Sequence, residues 1–172
     1  KALLARLDAL ETDIRREYNR LEKAEIQQAS DQVLISIRKM IDALEAERKR
    51  LQERIDDHFD RHRNLKTDRA LLETIPGIGR VLSAELTALL RSRLFANAGQ
   101  AAAFAGLVPV VKESGTSVRG RAVLAKTGSA RLRAKLYMAA VVAVQHNRRI
   151  KMHYDNLVAR GKAKMSALGA AM

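Results

Sequence analysis

The chain has 172 residues, with 32 Lys/Arg against 19 Asp/Glu, so its net charge of +13 favours a polyanionic partner. It has no Cys, which excludes disulfides and thiolate metal sites, and its 47% hydrophobic content is mostly aliphatic, with 3% aromatic residues and no Trp. That composition favours packed helices; no apolar run approaches the ~20 residues of a spanning helix and no signal peptide is evident, so no membrane role is expected.

The charge is unevenly placed. Residues 1–67 carry 15 Lys/Arg against 14 Asp/Glu, and residues 68–172 carry 17 against 5, so nearly the whole excess lies in the second part. This predicts two modules, an arm over 1–67 and a basic domain over 68–172. Because the chain begins at Lys1, we expect the N-terminus to be a cut edge.

In the arm, Leu3, Leu7, Leu10, Ile14 and Leu21 form an apolar seam shared by Tyr18. Val33, Ile37, Met40, Leu44, Leu51, Ile55 and His58 or Phe59 form a second. Spacing near 3.5 residues is the pattern of helices that pack on helices. We expect helices over about 2–28 and 31–65 with a bend or turn near Ser30. They form either an antiparallel hairpin or a continuous rod of about 95 Å at ~1.5 Å per residue. Either form leaves apolar edges, so pairing with another copy, as a dimer or tetramer, is expected. His58 and His62 lie four apart but lack the Glu of a zinc-peptidase motif, and a solvated helix end is the better reading.

In the basic domain, Thr67 is read as the N-cap of a helix carrying Leu71 and Leu72. Ile75-Pro-Gly-Ile-Gly79 then leads into a helix from Arg80 to about Ser92, with Val81, Leu82, Leu86, Leu89 and Leu90 inward. This resembles a helix-hairpin-helix motif, in which Gly77, Gly79 and Arg80 would hold a backbone phosphate; a plain tight turn fits equally well. Asn97 caps a short helix that Gly106 stops, Pro109 forbids helix, and Val108, Val110 and Val111 suggest a short strand. A Gly-rich loop follows with Ser114 and Ser117 among Lys112, Arg119, Arg121, Lys126, Arg131 and Arg133. A hydroxyl in so cationic a loop suits DNA or RNA; the residues alone leave open a turn residue or a nucleophile. Gly128-Ser129 should open a helix over about 130–146, with Leu132, Leu136, Ala139, Ala140, Ala143 and Val144 as its core face. Tyr137, beside that face, is read as a packing residue. Arg148, Arg149 and Lys151 form a further basic segment, and a last helix over 162–172 is expected to be cut off or frayed. The fold class is mainly α: a long helical coiled-coil arm, then a small helical domain with the hairpin-like motif and the serine loop.

Ile75-Pro-Gly-Ile-Gly79, Phe95 with Ala101–Pro109, Ser114–Arg121, Lys126-Thr-Gly128, Leu132-Arg133 and Leu136-Tyr137 resemble the C-terminal transposase domain of one insertion-sequence family. It is the family that includes the Piv-type DNA invertases and the bridge-RNA-guided recombinases. The likeness covers about 68–168, and the arm looks like the family's coiled-coil linker. The resemblance implies a DNA transposase or recombinase with an N-terminal RuvC-like domain, whose acidic tetrad binds magnesium and which this chain lacks. It implies a serine nucleophile in a composite active site, a structured guide RNA and a cytoplasmic, nucleoid-associated setting. The family's Ser-Gly pair falls on Ser114-Gly115, with Ser117 the runner-up. Lys126 and Arg133 match basic positions, while Ser129 replaces the usual Asn and Gly169 interrupts the last helix. No cofactor or metal is expected in this chain, which alone would be inactive. The competing readings are a non-catalytic nucleic-acid-binding module with a dimerising coiled coil, and a structural dimerisation protein.

Overall fold

A computed structural model describes residues 1–111 and 122–172, with the backbone of Glu113–Ser114 and Val118–Arg119 between them. It separates into two compact units, Lys1–Lys66 and Thr67–Met172. The chain is mainly helical, and four two-residue strands are the remaining regular elements among the described residues.

The first unit is an antiparallel hairpin of α1 (Ala2–Ile26) and α2 (Asp31–Arg61). The turn between them is a Schellman motif. Gln28 adopts φ +53°, its amide donates to the Glu25 carbonyl (3.1 Å), and the Ala29 amide reaches the Ala24 carbonyl (2.9 Å). The sequence left hairpin and rod open; these two hydrogen bonds reverse the chain. Two exposed contacts cross between the helices in this register, Tyr18 donating to Glu45 (3.0 Å) and Arg38 to Glu25 (2.9 Å). Leu7, Leu10, Ile14 and Ala24 of α1 are buried with Ile41, Leu51, Ile55 and Phe59 of α2. Complete burial of a side chain such as Leu10 contributes about 1.5–3 kcal/mol.

The seam expected on α2 is shifted. Val33 and Met40 are exposed, Ile41 is buried, and Phe59 rather than His58 faces α1. The apolar stripe of α2 is broader than one partner can cover, and α1 covers the side that holds Ile41. Leu3 and Tyr18 are likewise exposed. The imidazoles of His58 and His62 lie 4.5 Å apart at the exposed end of α2, where His62 Nδ1 is 2.8 Å from the His58 carbonyl. Among the described residues no group of three or more His, Cys, Asp or Glu could hold a metal ion.

The second unit is built on one long helix. Its elements are α3 (Arg63–Glu73, most of it in this unit), α4 (Arg80–Leu90), α5 (Ala98–Ala105), strands β1 to β4, α6 (Ala130–His146), α7 (Arg148–Ala159) and α8 (Lys164–Ala171). Helix α6 touches α4, α7 and α8. Leu132, Leu136 and Ala139 of α6 bury Leu82 of α4, with Ile78, Leu86, Leu89, Leu107 and Met172 packed around them. The inner side chains of α6 are small past its second turn, so backbones can approach closely there. A Cβ on Gly77 would overlap the Ala139 carbonyl oxygen, and Gly77 has φ +98°.

Three expectations for this unit are corrected. Thr67 lies inside α3, because only His62 leaves helical angles (φ −115°, ψ 97°) and Arg63 to Lys66 offer no obstacle to helix. Leu90, expected inward, is exposed. The buried member of α3 is Arg69, which donates to Glu73 (3.0 Å) and to the Arg80 carbonyl (3.2 Å). Glu73 also accepts from Ser83 (2.8 Å), so a polar network ties α3 to α4. Helix α8 is packed: Ala167 is fully buried and Met172 joins the core, after a break at Gly161 with φ +83°. The caps agree with the sequence reading. Asn97 accepts from the Gln100 amide, Gly106 is left-handed at φ +73°, and Ser129 accepts from the Leu132 amide. No helix among the described residues is long and apolar enough to cross a membrane.

Candidate nucleic-acid interface and serine ribbon

The segment between α5 and α6 is a nested antiparallel ribbon. Outer strands β1 (Pro109–Val110) and β4 (Val123–Leu124) pair as Pro109 with Leu124 and Val110 with Val123. Inner strands β2 (Glu113–Ser114) and β3 (Val118–Arg119) pair as Glu113 with Arg119 and Ser114 with Val118. The short strand suggested by Val108, Val110 and Val111 is present as β1, and Ser114, expected in the loop after it, sits at the inner end of strand β2. The β-branched Val110, Val118 and Val123 favour that extended backbone. Lys112, Gly115, Ser117, Gly120 and Arg121 lie outside the described residues, as do the side chains of Ser114 and Arg119.

The base of the ribbon is locked. The Ala125 amide donates to the Val108 carbonyl (2.9 Å), the Lys126 amide to Gly106 (3.3 Å) and the Thr127 hydroxyl to Ala103 (3.2 Å). Two glycines permit this closeness. A Cβ on Gly106 would stand 2.7 Å from the Thr127 nitrogen, and one on Gly128 would overlap the Phe104 carbonyl oxygen. Lys126 itself has φ +56°, a left-handed conformation that costs a non-glycine residue about 1–2 kcal/mol. It is held there by the bonds on either side, with its side chain exposed. Arg133, one turn into α6, reaches back to the Gly128 carbonyl (2.8 Å). Lys126 and Arg133 are thus brought to one turn, at the root of the strands that carry Ser114.

The other expected contacts occupy different stations on α6. Gly77 and Gly79 belong to the turn seated on Ala139, about 15 Å along the helix from Ser129 at ~1.5 Å per residue. Gly77 is explained by packing; Gly79 is extended, opens α4 without a side-chain cap, and has open space around its Cα. Arg80 is exposed while its carbonyl accepts from Arg69 and Ser83. Arg148, Arg149 and Lys151 lie past the far end of α6, exposed in the first turn of α7, whose amides at Arg149 and Ile150 are capped by Asn147. Cations there oppose the helix dipole, so folding alone does not favour them. Arg131 is exposed at the start of α6. Tyr137 is half-buried, its hydroxyl 3.9 Å from Met165 Sδ. Arg91 donates to Asp68 (2.6 Å), which holds its guanidinium above its ordinary pKa, whereas Lys135 is taken up by Glu85.

Sequence reasoning missed Arg69, although its spacing of four from Glu73 was visible, and it missed the Lys126 conformation, which leaves no sequence mark.

Residues 69–155 match the family model described as Transposase IS116/IS110/IS902 family. The chain belongs to this transposase family. The match runs from α3 into α7 and takes in the whole ribbon. The chain is 28% identical over 144 residues to the insertion element IS900 uncharacterized 42 kDa protein of Mycobacterium paratuberculosis, covering 83% of this chain and 35% of that protein. It is 27% identical over 139 residues to the insertion element IS110 uncharacterized 43.6 kDa protein of Streptomyces coelicolor, covering 80% of this chain and 33% of that protein. The chain therefore spans about a third of the length of these curated relatives. The resemblance read from the motifs is thereby established as membership of an insertion-sequence transposase family.

Proposed function

We propose that this chain is the C-terminal part of a DNA transposase or recombinase that supplies Ser114 as the nucleophile for strand cleavage and transfer. The observation that carries the reading is the locked root of the ribbon: Gly106, Lys126, Gly128 and Arg133 hold the serine-bearing strands in a family-matched, strongly basic unit. Ser114 Oγ attacks a backbone phosphorus, a Ser–O–P bond replaces one sugar–O–P bond, and the displaced sugar hydroxyl leaves. Attack by a second strand's hydroxyl reverses the exchange, so no external energy source is consumed. Lys126, Arg119 and Arg133 neutralise phosphate oxygens and the charge that develops at phosphorus. The serine proton needs a base that the described residues do not place beside it. A composite site completed by a magnesium-binding RuvC-like domain fits that need. The described residues of this chain offer no such metal set. DNA is the substrate, with a structured guide RNA as further partner, and the arm pairs copies through its uncovered apolar face. Gly79 and Arg80, Arg131, and the Arg148, Arg149 and Lys151 segment contribute phosphate contacts.

The test is Ser114→Ala in a full-length protein. Strand transfer and the covalent protein–DNA adduct should fall by on the order of 10³-fold or more. DNA binding should be retained, and Ser117→Ala should stay close to wild type. Transfer at the normal rate with Ser114→Ala would leave only a nucleic-acid-binding module.

A further inference from the structure

We propose that Arg93, seated on Phe104 and flanked by Leu94, is a stacking platform for one unpaired base of single-stranded DNA beside the phosphate handled at the Lys126–Gly128 turn. The inference rests on the transposase reading and gives its site a second recognition element. The Arg93 guanidinium carbon lies 4.5 Å from the centroid of the Phe104 ring, and Phe95 backs that ring at 5.8 Å between centroids. Arg93 is exposed, Phe104 is 37% exposed and Leu94 is completely exposed at 104%.

This cluster does not serve the fold in the way its neighbours do. Arg91, two residues earlier, is taken up by Asp68 at 2.6 Å. Arg93 has no carboxylate partner among the described residues, so its charge is left for an outside anion. Leu94, between Arg93 and Phe95 in the sequence, is wholly exposed and adds apolar surface next to this pair. A planar cation on an aromatic face, with an apolar neighbour, is complementary to a nucleotide. The base stacks on the guanidinium plane and the phosphate meets the positive charge. A paired base has both faces covered within its duplex, so the ligand is an unpaired one.

The backbone gives the platform its place in the reaction. The Phe104 carbonyl oxygen is the atom that a Cβ on Gly128 would strike, and the Ala103 carbonyl accepts from Thr127. The residue that carries the ring and the turn that carries Lys126 are therefore in direct backbone contact. A strand whose phosphate is held at Lys126 can lay a nearby base on Arg93. DNA rather than RNA is assigned because the chain belongs to a transposase family.

The 172-residue chain is titrated at fixed salt with a short single-stranded DNA and with a strand of equal length and charge built from abasic units. Wild type should bind the base-bearing strand about tenfold more tightly, the scale of one base–aromatic stack. Arg93→Lys keeps the charge without the plane, and Phe104→Leu keeps the volume without the ring. Each should remove most of that preference while leaving the abasic affinity and its salt slope unchanged within about twofold. If Phe104→Leu melts early, Arg93→Lys carries the test alone. Equal loss on both strands, a preference that survives Arg93→Lys, or no preference in wild type overturns the proposal. A larger preference for a ribose strand of the same sequence overturns the assignment to DNA. Ser114→Ala should leave the base preference intact whether or not Ser114 cuts DNA, so failure of the catalytic reading and failure of the platform are read separately.

Discussion

At the scale of single residues, the two glycines of the α3–α4 turn look alike in sequence and differ in physics. Gly77 has φ +98° and lies against the Ala139 carbonyl, so Gly77→Ala meets both backbone strain and overlap and should destabilise by about 3 kcal/mol in a denaturant titration. Gly79 has φ −91° and open space where a Cβ would stand, so Gly79→Ala should change stability by less than about 0.5 kcal/mol. A loss of DNA binding in the second variant would then report a phosphate contact at the turn rather than unfolding. Tyr18 offers a titration. Its hydroxyl donates to Glu45, and that bond, with the nearby carboxylate charge, raises its pKa above the usual 10.0. A group raised in the folded state contributes fully below its unfolded pKa and loses that contribution as pH climbs through the folded value. The difference in melting temperature between wild type and Tyr18→Phe should therefore be constant near neutrality and shrink above about pH 10.

At the scale of elements, α3 and α4 are joined by a polar network. Arg69 is 6% exposed and serves both Glu73 and the Arg80 carbonyl, while Ser83 shares the Glu73 oxygen. Arg69→Met removes the guanidinium from both acceptors and leaves the Ser83 hydroxyl as their remaining side-chain donor. With Glu73 partly in solvent, the expected cost is about 1–3 kcal/mol by thermal or chemical unfolding. Arg69→Lys should recover little of it, since one ammonium cannot reproduce the fork that reaches two acceptors. The helical seams of the arm were legible because spacing near 3.5 residues is written in the sequence. Which side of α2 would be covered was not. Val33 and Met40 are as apolar as Ile41, and only the position of α1 chooses between them. Their exposure is what the proposed pairing of copies would use.

At the scale of the second unit, helix α6 sets the spacing of the basic features. The Lys126–Gly128 turn precedes it, the Gly77 turn rests at its middle and Arg148 and Arg149 follow its end. Binding that engages about six of these cations should show a slope near −5 for log affinity of duplex DNA against log salt. Replacing Arg148 and Arg149 together with Ala should reduce that slope by about 2, uniformly across DNA sequences. A slope unchanged by the double variant would remove the α7 segment from the interface.

By itself the sequence determined the mainly helical class, the asymmetry of charge, the caps at Asn97, Gly106 and Ser129, and the family motifs around Ser114. These are local properties, set by side-chain period, charge and backbone preference within a few residues. Tertiary structure alone decided that the arm folds back at Gln28 and that Arg69 is buried where Leu71 is not. It also placed Lys126 in a left-handed turn against Gly106 and Arg93 on Phe104. Each of these depends on a partner several to more than twenty residues away, and close approach between distant backbones leaves no periodic mark in the chain.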